Sequence, residues 1–168
     1  MLNNKSIVPI TGNFDELYKF AYPILMECYD AFFKPGVIPA WIENNQSARM
    51  IEKEVKEGMF YYYLKNGADK AGYIALRPEK EELLLSKFYV EKNFRANGFG
   101  RYALNFMNEF GKKKNLKKIY CYCADYNTPS LEIYKKFGFT ERGEYFYEEH
   151  FEHETITERE IVLEKPII

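Results

Sequence analysis

The chain has 168 residues, which suits one domain and is enough to bury a core without disulfides or a structural metal. A formal net charge of −1 lacks the basic footprint of a nucleic-acid binder, and no apolar run reaches the about 18 residues of a membrane span. Three cysteines, Cys28, Cys121 and Cys123, show no zinc-site spacing and read as free thiols; with no secretory signal, the protein is expected in the cytoplasm.

In chain order, residues 6–10 read as a first strand. Thr11-Gly12-Asn13 starts a helix whose Asp15 and Glu16 suit its positive end. Phe14, Leu17, Tyr18, Ala21, Leu25 and Cys28 then recur at helical spacing, with Pro23 as a place for a kink. Lys34-Pro35-Gly36 and Pro39 break that pattern, so 32–41 reads as an aromatic, proline-bearing connection. A second helix is expected over 47–57, stopped by Gly58. Residues 59–64 and 70–77 read as an antiparallel hairpin around Asn66-Gly67, and 78–82 as a polar turn.

Residues 83–90 are nearly continuous in apolar side chains, the pattern of a central strand. After Gly100, Tyr102, Ala103, Phe106, Met107 and Phe110 share a helical face; Gly111 and the lysines up to Lys118 end it. Residues 119–124 form the next strand. Thr128 as N-cap and Pro129 at the first helical position start a short helix that ends at Gly138. Strands over 139–147 and 157–164 complete an α/β (α+β) chain, one domain over 1–168.

The chemistry-bearing stretch is 92–108. A strand, then Arg95-x-x-Gly98-x-Gly100, then a helix make an anion cradle: glycines let the backbone turn, and free N–H groups of the first helical turn face a phosphate. Gly98-x-Gly100-x-x-Ala103 also matches a dinucleotide fingerprint. That reading fails on context, because seven residues separate Val90 from Gly98 and the hairpin-rich first half does not suit a doubly wound sheet.

About thirty residues on comes Asn127-x-x-Ser130-x-x-x-Tyr134-Lys135-Lys136-Phe137-Gly138-Phe139. With Arg95-x-x-Gly98-x-Gly100 and the strand ending at Val90, it resembles the GCN5-related N-acetyltransferase (GNAT) superfamily. The Tyr-Lys-Lys-x-Gly-Phe run is shared in style with its bacterial polyamine acetyltransferases. The resemblance spans roughly 83–139. It implies a mixed, mostly antiparallel sheet of six or seven strands, splayed between the fourth and fifth, with about four helices. It implies acetyl-CoA as co-substrate, no metal, and direct transfer to a primary amine of a small molecule or peptide. Backbone groups of Phe88, Tyr89 and Val90 would bond the pantetheine arm and polarise the thioester. Arg95, Ala96, Asn97, Gly98, Phe99, Gly100 and Arg101 would hold the pyrophosphate, with Asn127 and Ser130 nearby. Tyr134 would be the general acid, since a phenol and a thiol lie close in pKa.

Many family members carry a glutamate on the cradle strand; here Leu84 and Ser86 occupy that face. Glu82 further back on it is the candidate base, with Glu81, Tyr89 or a water chain as alternatives. Acceptor pockets in the family correspond to 32–41 and 145–160, which puts Phe32, Trp41 and Tyr147 at the amine. The second segment carries six glutamates with His150 and His153 and reads as an acidic hairpin loop whose charge suits a cationic amine. Edge strands leave room for a homodimer. The rival reading is a non-catalytic acyl-CoA-binding regulatory module.

Overall fold

The computed structural model describes residues 4–168. Seven strands form one mixed sheet in the order β1-β2-β3-β4-β5-β7-β6, the α/β class expected. By contacts the chain divides into two compact units. The first runs to Ala75 and resumes over Lys87–Phe99; the second takes Leu76–Ser86 and Gly100–Ile168.

In the first unit, β1 (Lys5–Ile10) pairs antiparallel with β2 (Phe60–Asn66), Lys5 opposite Asn66 and Ile10 opposite Tyr61. Between them lie three helices: α1 (Phe14–Tyr29), α2 (Val37–Gln46) and α3 (Ala48–Lys56). Leu17, Leu25, Ile42 and Leu64 are wholly buried in this unit, each contributing about 1.5–3 kcal/mol. α2 corrects the expected connection over 32–41. Gly36 enters it with φ 89°, and Pro39 sits in its first turn, where a missing N–H breaks no helical bond. A 3-10 turn, Asp30–Phe32, precedes it. α3 ends near Gly58 as expected.

β3 (Asp69–Glu79) and β4 (Glu82–Val90) each begin in one unit and end in the other. β3 runs through Pro78, so the polar turn shrinks to Lys80 and Glu81, with Lys80 at φ 47°. β4 is the fourth strand of the seven, central as its apolar run requires.

In the second unit, β4 pairs parallel with β5 (Lys118–Ala124), Glu82 opposite Lys118 and Leu85 opposite Cys121. Parallel neighbours need a crossover, which α4 (Phe99–Lys113) supplies. α4 includes Gly100 and Gly111, correcting both as flanks. A Cβ at Gly100 would lie 2.6 Å from the Phe137 ring, and one at Gly111 2.4 Å from Ile167 Cδ1. Their absence lets neighbours pack close.

α5 (Thr128–Lys136) follows β5. Its N-cap is Asn127 rather than Thr128: the Asn127 side chain accepts from Ser130 N at 3.4 Å, and Pro129 falls in the first turn. Gly138 at φ 88° ends it, with Phe139 N donating to Tyr134 O at 3.0 Å. The last two strands are longer than expected. β6 (Thr140–Phe151) and β7 (Glu154–Pro166) form one hairpin turned at Glu152-His153, so most of 145–160 is ladder and not loop. β7 also pairs antiparallel with β5.

Candidate functional site

The expected site residues fall in both units. In the first, the end of β4 leads through the 3-10 turn Lys92–Phe94 into the cradle loop. Ala96 and Gly98 adopt φ 60° and 82°, turning the backbone twice before α4 begins at Phe99. A Cβ on Gly98 would meet nothing within 4 Å, so the space beside it is open to a ligand. Phe99 is buried, edge-on to Phe94 and under the Lys5 ammonium, which pins the end of the loop.

Arg95 braces this loop. Its Nε donates to Val90 O at 2.9 Å, and Nη1 and Nη2 donate to both oxygens of Glu27 at 2.9 and 2.5 Å. The fork holds the Glu27 carboxyl below its usual range, through the hydrogen bond first and charge next. Asn97 Nδ2 donates to Arg95 O at 3.1 Å. Backbone N–H groups at the start of a fifteen-residue helix are what remains for an anion. Arg101 is exposed in that first turn.

Tyr89 belongs to an aromatic chain that its sequence neighbours do not announce. Its hydroxyl lies 2.8 Å from that of Tyr29, its ring is 5.4 Å from Tyr73, and Tyr29 meets Trp41 edge-on at 5.9 Å. Trp41 thereby joins the end of β4 in this unit, whereas Phe32 is 54% exposed. Gly72 on β3 makes room: a Cβ there would come within 2.2 Å of Tyr89 O. Phe88 and Val90 flank Tyr89 on β4, half-buried.

In the second unit, α5 carries Ser130 and Tyr134 one turn apart. The Tyr134 hydroxyl hydrogen-bonds the Cys121 thiol on β5, and its ring packs edge-on against Phe139 at 5.2 Å. Burial pushes both β5 thiols up, Cys123 to about 12 and Cys121 further, so neither is a thiolate at neutral pH.

Glu82, the expected base, carries an ion pair in this unit. It opens β4 and accepts from Arg142 Nη1 at 2.6 Å. The ion pair sits at the foot of the strand, where β4 begins.

The carboxylates that do gather were hidden in the glutamate-rich stretch. Register places Glu160 opposite Ala124 on one side and Tyr145 on the other, and Glu158 opposite Tyr147. Alternation puts Glu158, Glu160, Tyr122, Tyr145 and Tyr147 on one face, and Cys121, with Tyr134 upon it, on the other. Tyr145 stacks on Tyr147 at 5.9 Å and meets Tyr122 edge-on at 5.5 Å. Burial and the charge of Glu158 push the Glu160 carboxyl up to about 7. Only the hairpin register, which is non-local, could have singled out these two glutamates.

The sequence model of the acetyltransferase (GNAT) family matches residues 18–139. An uncharacterized N-acetyltransferase in the pepI 3' region of Lactobacillus delbrueckii subsp. lactis is 25% identical over 118 residues, covering 60% of this chain and 68% of that one. Among solved structures, PaiA N-acetyltransferase from Thermoplasma acidophilum in complex with coenzyme A superposes with a TM-score of 0.75 at 16% identity, over 96% of this chain and 99% of that one. Spermidine N-acetyltransferase from Vibrio cholerae, in complex with CoA and spermine, gives 0.67 at 15% identity, over 98% and 96%. The ribosomal-protein-S18-alanine N-acetyltransferase of Escherichia coli gives 0.69 at 18%, over 97% and 94%.

Proposed function

The chain belongs to the acetyltransferase (GNAT) family, and from that premise we propose that it moves the acetyl group of acetyl-CoA to a primary amine of a small molecule or peptide, directly, in a ternary complex. The observation that carries this reading is the cradle: two left-handed residues, Ala96 and Gly98, deliver the chain into the N-terminus of α4 beside open space. Such a turn suits the pyrophosphate of CoA. Gly98, Phe99, Gly100 and Arg101 line it, with Ala96, Asn97 and the braced Arg95 shaping it. Phe88, Tyr89 and Val90 offer backbone groups to the pantetheine arm and to the developing oxyanion. Asn127 and Ser130 set the start of α5, and Tyr134 donates the proton that the leaving thiolate takes up.

Direct transfer is supported by the thiols. Burial keeps Cys121 and Cys123 protonated, which makes them poor acyl acceptors for a two-step route. The test is thiol release from acetyl-CoA across a panel of polyamines, amino acids, aminoglycosides and peptide N-termini. Turnover on at least one amine is expected. Tight acetyl-CoA binding with no turnover on any would instead mark a regulatory acyl-CoA-binding module. A cytoplasmic location and a homodimer built on edge strands belong to the same proposal.

A further inference from the structure

Ala96 stands in the cradle loop at φ 60°, a left-handed conformation that a residue with a Cβ adopts only when its surroundings hold it there. Two bonds of the loop are internal to it. Asn97 Nδ2 donates to Arg95 O at 3.1 Å, and Arg95 N donates to Lys92 O at 3.4 Å. Neither fixes the loop against the rest of the first unit. The Arg95 side chain does. Its Nε donates to Val90 O at 2.9 Å, which closes the loop onto the end of β4. Its two Nη atoms cross 68 residues of sequence to reach both oxygens of Glu27.

Glu27 lies outside both sequence motifs, in the last turn of α1. Electrostatics alone would not put an acid there. A carboxylate is unfavourable at the negative end of a helix, and no basic residue of that turn offsets it. It also opposes an anion bound at the cradle, and it occupies a guanidinium that could otherwise meet a phosphate. Glu27 is therefore either a cost to anion binding or a brace for the loop. The neighbouring contacts favour a brace. Tyr29, in the same turn of α1, sets its hydroxyl 2.8 Å from that of Tyr89. α1 thus grips the chain at residues 89 and 95, on either side of Val90.

We propose that Glu27 is a positioning residue of the acetyl-CoA site: through the fork it fixes Arg95, and through Arg95 the carbonyl of Val90, so that the loop from Arg95 to Gly98 is already turned when the pyrophosphate arrives. This rests on the transferase reading given above. Arg95 then works by shape. With Nε on Val90 and both Nη atoms on α1, it leaves the phosphate to backbone N–H groups. Ordering the loop in the free protein removes that entropy cost from the binding step. The sign of one substitution separates brace from cost. If Glu27 only sequestered Arg95, removing its charge would free the guanidinium and tighten acetyl-CoA. If Glu27 braces the loop, the same change weakens acetyl-CoA.

The experiment titrates acetyl-CoA into the full-length protein by calorimetry. The Glu27 and Arg95 side chains are each 43% exposed, so replacing either opens no cavity. Glu27→Gln is expected to weaken acetyl-CoA about tenfold and to raise its KM by the same factor, with kcat within about threefold of wild type. Glu27→Asp, which keeps the charge, should recover part of the loss. Arg95→Lys keeps the cation but loses the fork and should match Glu27→Gln. The double variant should be no worse than either single, because both act through one contact. Amide hydrogen exchange over 95–99 should be faster than wild type in free Glu27→Gln and equal to it once acetyl-CoA is saturating. Tighter or unchanged acetyl-CoA binding in Glu27→Gln, additive losses in the double variant, or unaltered exchange in the free loop overturns the positioning role while leaving the transferase reading standing. A wild-type protein that binds no acetyl-CoA overturns that reading itself.

Discussion

Tyr134 is held by its own helix end, by the ring of Phe139 and by the Cys121 thiol. Removing the hydroxyl therefore leaves the ring in place and isolates the proton transfer. Tyr134→Phe is expected to lower kcat by about 10²-fold or more while acetyl-CoA affinity, read by titration, stays within a factor of about three. An unchanged rate would remove Tyr134 as the acid. Gly98 differs in kind. Its φ of 82° disfavours a β-branched residue, yet its missing Cβ faces open space. Gly98→Val should weaken acetyl-CoA binding at least about tenfold by filling a phosphate's place; retained affinity would mean the cradle lies elsewhere. Both residues stand out in the sequence because the motifs that resemble the family, Arg95-x-x-Gly98-x-Gly100 and the run from Asn127 to Phe139, are local. Glu158 and Glu160 do not. They are two of six glutamates between 145 and 160, and nothing local separates a carboxylate facing a tyrosine wall from one facing water. The partner of Glu82, Arg142, is sixty residues away and equally invisible to local reading.

At the scale of elements, periodicity located strands and helices well where one face is apolar, as in β4 and α4. It missed α2, because three breakers in a row, Pro35, Gly36 and Pro39, look like a loop. They instead occupy the approach, the N-cap and the first turn of a helix, where each is tolerated. It also shortened β6 and β7, because their outer residues are charged or aromatic on both faces. The contact of β3 with the end of β4 is the element-level feature with the clearest consequence. Gly72→Ala places a Cβ 2.2 Å from Tyr89 O and 3.1 Å from Val90 Cα, both backbone atoms. Neither can rotate away, so the strand end must shift. A loss of about 1–3 kcal/mol in denaturant unfolding is expected, with at least a tenfold fall in kcat/KM. Normal activity in a stable Gly72→Ala protein would show that the end of β4 does not set the geometry of transfer.

For the molecule as a whole, the uncompensated carboxylates predict how stability follows pH. Glu160 has its carboxyl raised from 4.5 to about 7 on folding, and Glu158 is raised as well. The folded chain then binds more protons than the unfolded one between those values, so stability falls as pH rises through that window. The contribution is full below about 4.5 and lost above about 7. Glu27, Glu79 and Glu164, lowered on folding, act oppositely and lose their contribution as pH falls below 4.5. Thermal unfolding without amine should give a higher midpoint at pH 6 than at pH 8, and Glu160→Gln should flatten that difference. A wild-type midpoint rising from pH 6 to pH 8 would contradict the raised carboxyl. The position of β5 bears on how the chain is made. Its two neighbours are β4, whose paired stretch ends 33 residues before it, and β7, whose paired stretch begins 36 residues after it. Parallel closure onto β4 is non-local and slow, and the other edge of β5 stays bare until residues 160–166 have been joined. During synthesis the nascent chain thus exposes a β-branched and aromatic strand edge, open to any passing strand. The hairpin of β6 and β7 is the piece that seals it, so the same strand that carries the two glutamates also guards the half-made protein against aggregation.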